Sequence, residues 1–196
     1  MNENRKKMLL WSLFTFTGIS GLIMLDQLSK AFASSNLKNS DSVTVIKGFF
    51  DLTYVENRGA AWGVLSGRIS ILVIITVILI PIFVFCMLRI YKNKELLDSS
   101  KLKRVSLLHF DLILLLSGAV GNFIDRIIKG YVVDFFQFTF FDFPVFNVAD
   151  CYITIGAVFF IVIYMFLLKD DDITILFKGE KAVLEEKRDD EISDKS

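Results

Sequence analysis

Polar side chains that could carry chemistry are concentrated on either side of a phenylalanine-rich stretch in the second half of the chain. One set recurs at spacings of three and four residues and therefore shares a helix face: Gly118, Asn122, Asp125, Arg126 and Lys129. A second set repeats this spacing further along: Asn147, Asp150, Thr154 and Ala157. Small residues at positions 118, 119 and 121 allow close helix approach, so we expect the two polar faces to meet.

Asp134 lies in the stretch between the two polar faces, and helix packing is expected to bring it beside Asp150. Two carboxyl groups that face each other in a partly dry site cannot both ionise easily, so one keeps a proton while the other acts as a base. Such a pair can activate water and protonate a scissile carbonyl, as aspartic proteolysis requires. The residues alone leave cation binding and proton relay open as alternatives.

Other catalytic centres lack the necessary residues. Cys86 and Cys151 are predicted at opposite ends of two membrane-spanning segments, roughly 25 Å apart, which excludes a disulfide. His109 is the only histidine in the chain and lies far from both cysteines in sequence. We therefore predict no metal site, no cofactor and no Cys-His or Ser-His-Asp nucleophile.

The elements that must position these residues are membrane helices. The 196-residue chain is 54% hydrophobic and 22% charged, with 22 basic and 22 acidic residues. Of these charged residues only Asp111 falls within four long apolar runs, at 8–25, 69–88, 105–124 and 151–168. Runs of this length match the hydrocarbon core of a bilayer. This pattern predicts an all-α membrane protein with four spans and excludes a soluble enzyme, a nucleic-acid binder and a disulfide scaffold.

The first apolar run also resembles a secretory signal, because three basic residues precede it and Ala31-Phe32-Ala33 follows it. The run is longer than a signal core, and Asp26 and Lys30 interrupt the approach to that cleavage-like site. We favour an uncleaved first span. The N-terminus and the 89–104 connection carry three and six Lys or Arg residues, so we predict both termini in the cytoplasm and the 34–68 and 127–148 connections outside.

The outward connections contain strand-like segments. Residues 43–55 and 131–141 are rich in β-branched and aromatic residues, which predicts a small antiparallel sheet at the outer membrane surface. Phenylalanines between Tyr131 and Phe146 suit contact with lipid, although packing on the helices is an equal alternative for any one of them. Residues 1–168 form the predicted membrane domain. Residues 169–196 hold six basic and ten acidic residues and are predicted to be a charged cytoplasmic tail, partly disordered.

Five ordered motifs resemble lipoprotein signal peptidase, also called signal peptidase II. They are Asp26-Gln-Leu-Ser-Lys30, Asn57-Arg-Gly-Ala-Ala-Trp-Gly63, Gly118-Ala-Val-Gly-Asn-Phe-Ile-Asp-Arg126, Val133-Asp-Phe-Phe136 and Phe146-Asn-Val-Ala-Asp150. The resemblance covers about residues 8–168. It implies a bacterial plasma-membrane aspartic endopeptidase that cleaves prolipoproteins just before their diacylglyceryl-modified cysteine.

The resemblance also implies roles for individual residues. Asp134 and Asp150 match the catalytic pair. Residues that match the supporting positions, which bind substrate or hold the site together, are Asp26, Lys30, Asn57, Gly59, Asn122, Asp125, Arg126, Asn147 and Ala149. The family pattern implies a β-cradle and a short amphipathic helix near 59–66 that close over the substrate at the extracytoplasmic face.

Some of the supporting residues also have a structural alternative. Asp26 and Lys30 are four residues apart and could form a helix-end ion pair, and Asn147 could serve only as a helix N-cap. Asp111 is expected to snorkel to the inner interface. The expected partners are a lipidated prolipoprotein and membrane lipid, with a monomeric chain and no nucleic acid. Other function classes are a proton- or cation-coupled transporter using Asp125, Asp134 and Asp150, and a metal-dependent lipid phosphotransferase.

Overall fold

The computed structural model describes residues 3–59, 68–93, 99–169 and 172–174. Helix α1 spans Glu3–Asn36, α2 Ile69–Asn93, α3 Ser99–Lys129 and α4 Val148–Val162, and α4 continues as a π-helical turn over Ile163–Leu167. Strands β1 (Val43–Ile46), β2 (Phe50–Asn57) and β3 (Val132–Phe138) complete the described elements. All four helical segments are long and apolar enough to cross a membrane, so the described chain has the four candidate spans that the sequence predicts.

Helix α3 is the centre of the bundle. It packs against α1, α2 and α4, and more than half of its apolar window is buried, against about a tenth or less in the other three helices. A buried apolar cluster joins α2 to α3 through Met87, Ile90, Val105, Leu112, Ile113 and Leu116. The outer faces of α1, α2 and α4 expose large apolar side chains, as expected for surfaces that face lipid.

The small antiparallel sheet predicted from residues 43–55 and 131–141 is present, with strand order β1-β2-β3. Gly48 has a φ of 72° in the connection between β1 and β2, a backbone conformation that glycine adopts without strain. In the register of β2 and β3, Val55 lies opposite Asp134 and Leu52 lies opposite Phe136. Phe136 also pairs with Phe146, which ties the chain just before α4 to the sheet.

The junction between α3 and β3 is a tight turn. Gly130 follows the last residue of α3 with a φ of 74° and donates its N–H to Arg126 O at 3.2 Å. A left-handed glycine at this position is a common helix ending. Only one further residue, Tyr131, separates Gly130 from β3, so Asp134 stays close to the outer end of α3.

The structure differs from some of the predictions made from the sequence. Helix α1 continues to Asn36, well past the predicted end of the first span at residue 25. Asp111 does not snorkel: it is 1% exposed. Of the predicted short helix near 59–66, all but Gly59 lies outside the described residues, and so does most of the predicted tail. Asp172, from the described part of that tail, is fully buried and accepts two hydrogen bonds from Arg104.

Candidate active site

Asp134 points from β3 into the interior and is 1% exposed. Its Oδ2 accepts a hydrogen bond from Asn57 Nδ2 at 2.8 Å, and its Oδ1 accepts one from Asn147 Nδ2 at 2.6 Å. Asn57 is the last residue of β2 and Asn147 immediately precedes α4. The carboxyl group of Asp134 is therefore held by side chains from both neighbouring elements.

Asp150 lies in the first turn of α4, where it forms a capping box with Asn147. Asn147 Oδ1 accepts from the Asp150 N–H at 3.0 Å, and Asp150 Oδ2 accepts from the Asn147 N–H at 3.2 Å. The other carboxylate oxygen, Oδ1, accepts from Asn122 Nδ2 at 2.7 Å. Asn147 thus contacts both Asp134 and Asp150, and the predicted N-cap role of Asn147 is present together with its contact to Asp134.

The three asparagine amides are oriented by groups that can only donate hydrogen bonds. Asn57 Oδ1 accepts from the Gly59 N–H at 2.8 Å, Asn122 Oδ1 accepts from Lys30 Nζ at 2.8 Å, and Asn147 Oδ1 accepts from the Asp150 N–H. Each amide oxygen is therefore turned away from the carboxyl groups. The three NH2 groups face Asp134 and Asp150. They are hydrogen-bond donors already in position to stabilise negative charge on either carboxyl group.

A buried charge cluster lies behind the carboxyl pair. Asp26, Lys30 and Asp125 are each 0% exposed. Lys30 Nζ is 2.9 Å from Asp26 Oδ2 and 3.7 Å from Asp125 Oδ2. Asp125 also accepts from the Val133 N–H at 3.0 Å and forms an ion pair with Lys129 at 3.0 Å. Asp26 and Lys30 are therefore not a solvent-exposed helix-end pair, because α1 continues past them against α3 and α4.

The cluster also ties α1 to the start of α4. Asp26 Oδ1 accepts from the Ala149 N–H at 2.9 Å, and Ala149 is fully buried. Gln27 donates both to Asp26 Oδ2 at 3.0 Å and to Gly121 O at 3.1 Å. These contacts connect α1, α3 and α4 directly beneath Asp150. Gln27 was not singled out from the sequence, although it lies within the motif that runs from Asp26 to Lys30.

A cavity of about 720 Å³ opens in front of the carboxyl pair. Asp134 and Asp150 line it together with Asn57, Asn122 and Arg126. The remaining wall is mostly apolar: Val132, Phe138, Phe143, Pro144, Val145, Phe146, Ile153 and Ile155. Arg126 is half-buried, and its charge interacts with Asp134 and Asp150. This apolar wall was not predicted from the sequence to line the site, although its phenylalanines form a group in the chain.

The environment of Asp134 makes its carboxyl group hard to ionise. Burial, followed by the negative charge of Asp150, raises the pKa of Asp134 to about 7, although the donors Asn57 and Asn147 act in the opposite direction. The free energy needed to deprotonate Asp134 at neutral pH is therefore small. A carboxyl group in this state can hold or release a proton near pH 7, as a general acid or base must.

Comparison with known proteins identifies the family. The model of the family described as signal peptidase (SPase) II matches residues 19–167. The chain belongs to the signal peptidase II family. A lipoprotein signal peptidase of Clostridium acetobutylicum is 41% identical over 152 residues, which cover 76% of this chain and 90% of that protein. One of Staphylococcus carnosus is 39% identical over 163 residues, which cover 82% and 95%.

Solved structures agree with this assignment. A bacterial membrane enzyme solved by the in meso method at 2.3 Å resolution superposes with a TM-score of 0.65 and 33% identity, over 77% of this chain and 87% of the other. A second such enzyme, solved at 1.9 Å, gives a TM-score of 0.63 and 32% identity, over 79% and 94%. As a member of the signal peptidase II family, the chain is an aspartic peptidase and a multi-pass bacterial membrane protein.

The residues matched to this family in the sequence gather in one place. Asp134 and Asp150 share the cavity with Asn57, Gly59, Asn122 and Arg126. Asn147 and Lys30 contact the lining asparagine Asn122 from behind. The others, one layer further from the cavity, are Asp26, Asp125 and Ala149. None of the eleven predicted residues lies apart from this cluster.

Proposed function

We propose that this member of the signal peptidase II family removes the signal peptide from bacterial prolipoproteins and that Asp134 and Asp150 form its catalytic dyad. The observation that carries the proposal is the shared contact with Asn147, which binds Asp134 through its side chain and Asp150 through its backbone and cap. The shared asparagine holds two carboxyl groups at one end of one cavity. Membership of the family supports prolipoproteins as the substrates.

The proposed reaction uses one ionised and one protonated carboxyl group. The ionised group takes a proton from a water molecule, whose oxygen forms a bond to the scissile carbonyl carbon while the protonated group gives its proton to the carbonyl oxygen. The C–N bond of the resulting tetrahedral gem-diol then breaks. The carboxyl group that took a proton from water gives it to the amide nitrogen, and one hydroxyl of the gem-diol returns a proton to the other carboxylate. The raised pKa of Asp134, about 7, supports its holding the proton at rest.

The apolar composition of the cavity wall favours a lipid-modified substrate. Most of the lining residues are apolar, and three phenylalanines, Phe138, Phe143 and Phe146, line one side. Acyl chains can remain in such an environment or in the neighbouring hydrocarbon while the peptide reaches the carboxyl pair. Arg126 presents guanidinium donors at the same cavity and is suited to bind a peptide carbonyl of the substrate.

We further propose that the cavity faces the extracytoplasmic side and that the sheet contacts membrane lipid. The excess of Lys and Arg in the N-terminus and the 89–104 connection supports cytoplasmic termini. With that orientation, the end of α3 and the beginning of α4 lie on the extracytoplasmic side. Phe140 and Phe141 are 54% and 46% exposed in the turn after β3, and Val43 and Val45 are exposed on β1. These apolar side chains suit the interface of the outer leaflet. Because one chain supplies every group named above, a monomer is sufficient for activity.

The decisive experiment measures cleavage of a diacylglyceryl-modified prolipoprotein by the purified enzyme in detergent. We expect Asp134→Asn and Asp150→Asn to lose at least about 10³-fold in kcat, because each removes one member of the acid-base pair. Asp142→Asn is the matched control: Asp142 is exposed on the loop after β3, and its substitution should leave cleavage unchanged. Wild-type rates in both dyad variants would refute the catalytic assignment.

Two further arms test the substrate and the absence of a metal requirement. An unmodified prolipoprotein should remain uncut if the lipid is part of recognition, and equal cleavage of both precursors would refute that part of the proposal. A chelator should not change the rate. Loss of activity with chelator, restored by added divalent cation, would replace the dyad mechanism by a metal-dependent one.

A further inference from the structure

Lys30 is a fully buried lysine whose contacts reach the catalytic cavity from behind. Its Nζ lies 2.9 Å from Asp26 on its own helix and 2.8 Å from Asn122 Oδ1 on α3. A buried ammonium group must be paired and hydrogen-bonded to offset the loss of hydration. The ion pair with Asp26 supplies the opposite charge, and the hydrogen bond to Asn122 has a second effect, on the orientation of the Asn122 amide.

The contact with Asn122 selects one of two amide orientations. An asparagine side chain can exchange its oxygen and NH2 positions by rotating half a turn. An ammonium group only donates, so it holds Asn122 Oδ1 on its own side. Asn122 Nδ2 is thereby directed to Asp150 Oδ1, which it reaches at 2.7 Å. In the opposite orientation the amide oxygen would face the carboxylate and repel it.

We propose that Lys30 is a positioning residue of this peptidase: by holding the amide oxygen of Asn122, it directs the Asn122 NH2 group to the Asp150 carboxylate. This inference rests on the proposed role of Asp150 in the dyad. Asn147 Nδ2 also donates to Asn122 Oδ1, at 3.2 Å, but that same group serves Asp134 at 2.6 Å. Lys30 is the closer donor and the charged one, and charge-assisted hydrogen bonds are the stronger kind.

The first test separates kcat from KM. Lys30→Met keeps an unbranched side chain as far as the ε carbon and removes the ammonium group, and we expect kcat to fall roughly 10- to 100-fold with KM within about twofold. Lys38→Met is the matched control, because Lys38 also loses an ion pair, that with Glu56 at 3.1 Å, but lies outside the charge cluster and the cavity lining. Wild-type kcat in Lys30→Met would overturn the inference.

The second test separates positioning from charge balance. If Lys30 serves only to neutralise Asp26, the double variant Asp26→Asn with Lys30→Met removes both charges and should recover the activity lost in Lys30→Met. If Lys30 orients Asn122, the double variant should fold, because both buried charges are removed, but its kcat should remain as low as that of Lys30→Met. Recovery to near the wild-type kcat would overturn the inference, and the double variant remains informative even where Lys30→Met alone fails to fold.

A double-mutant cycle with Asn122→Ala completes the test. Because Lys30 is proposed to act through Asn122, adding Lys30→Met to Asn122→Ala should lower kcat by less than about twofold further. A full additional loss would overturn the inference. Failure of the proposed function would look different, since it requires Asp134→Asn and Asp150→Asn to keep wild-type rates, whatever the result at Lys30.

Discussion

The Asp26 carboxylate joins the first helix to the first turn of the last: its Oδ1 accepts a hydrogen bond of 2.9 Å from the Ala149 N–H, 123 residues away. The first N–H groups of a helix have no partner within it, and Asp26 satisfies one of them in a buried position. A carboxylate at a helix N-terminus also interacts favourably with the helix dipole. Asp150, the next residue after Ala149, is thereby anchored from behind.

The contact between Asp26 and Ala149 requires a glycine at position 121. A Cβ added to Gly121 would lie 2.6 Å from Asp26 Oδ2 and 3.3 Å from the Ala149 Cβ. We expect Gly121→Ala to lower the free energy of unfolding by about 1–3 kcal/mol, because both α1 and α4 must move away from α3 to make room for the added methyl group. It should also reduce kcat through the displaced α4. Thermal unfolding in detergent and the cleavage assay measure the two effects.

Gly21→Ala is the matched control for Gly121→Ala. Gly21 also lies in a helix, but nothing is within 4 Å of a Cβ added there. Alanine should therefore be neutral or slightly stabilising at position 21, since it is the better helix former. Equal unfolding temperatures for the two variants would contradict the requirement for close approach at Gly121.

Asn147 combines a helix cap with a hydrogen bond to Asp134, and two substitutions distinguish these roles. Asn147→Ser keeps a side-chain oxygen at the N-cap but lacks the amide that reaches Asp134 at 2.6 Å. We expect it to lose roughly 10²-fold in kcat with a small change in stability. Asn147→Ala should lose similar activity and about 1 kcal/mol more stability, because it also loses the cap. Circular dichroism melting and cleavage kinetics measure both quantities. An active Asn147→Ser variant would reduce the role of Asn147 to capping.

The raised pKa of Asp134 predicts how stability depends on pH. In the folded state this pKa is about 7, whereas an unfolded aspartate titrates near 4. Between these values the folded chain binds more protons at Asp134 than the unfolded chain does, so the contribution of Asp134 to stability is greatest below about pH 4 and is lost as pH rises through about 7. Asp134→Asn cannot titrate and should lack this component.

The measurement compares unfolding temperatures of the wild type and Asp134→Asn in one detergent from about pH 5 to about pH 8. The wild type should lose stability relative to the variant as pH rises, because only the wild type must ionise a buried carboxyl group. Parallel curves would show that the Asp134 carboxyl group has an ordinary pKa in the folded protein.

The polar faces of α3 and α4 could be predicted from the sequence because their spacing is helical over several turns. Asn122 and Asp150 follow this periodicity, and the structure brings them to 2.7 Å. The proximity of Asp134 to Asp150 was expected because Asp134 lies in the stretch between two helix faces that were predicted to pack together. Its register opposite Val55 was not, because strand pairing depends on long-range contacts that no local pattern records.

The buried position of Lys30 was not apparent from the sequence. The first apolar run ends near residue 25, so an ion pair at 26 and 30 was naturally placed at a helix end. The helix continues to Asn36 instead, and α3 and α4 cover Asp26 and Lys30. Hydropathy measures the apolar length of a segment, whereas a helix can extend beyond it when neighbouring helices pair its charges.

Asp111 lies in the membrane-spanning part of α3 with its carboxyl group buried and, among the described residues, without a hydrogen-bond partner for either oxygen. Such a group is costly in hydrocarbon, and no resolved contact offsets the cost. We expect Asp111→Leu to raise the free energy of unfolding by about 1–3 kcal/mol and Asp111→Asn to give a smaller gain, since asparagine still has unpaired polar atoms. Cleavage should not change, because Asp111 is roughly 17 Å from Asn122 along the helix. Thermal unfolding of the three proteins in the same detergent tests the order, and a loss of stability in Asp111→Leu would mean that the carboxyl group makes a stabilising contact in the folded protein.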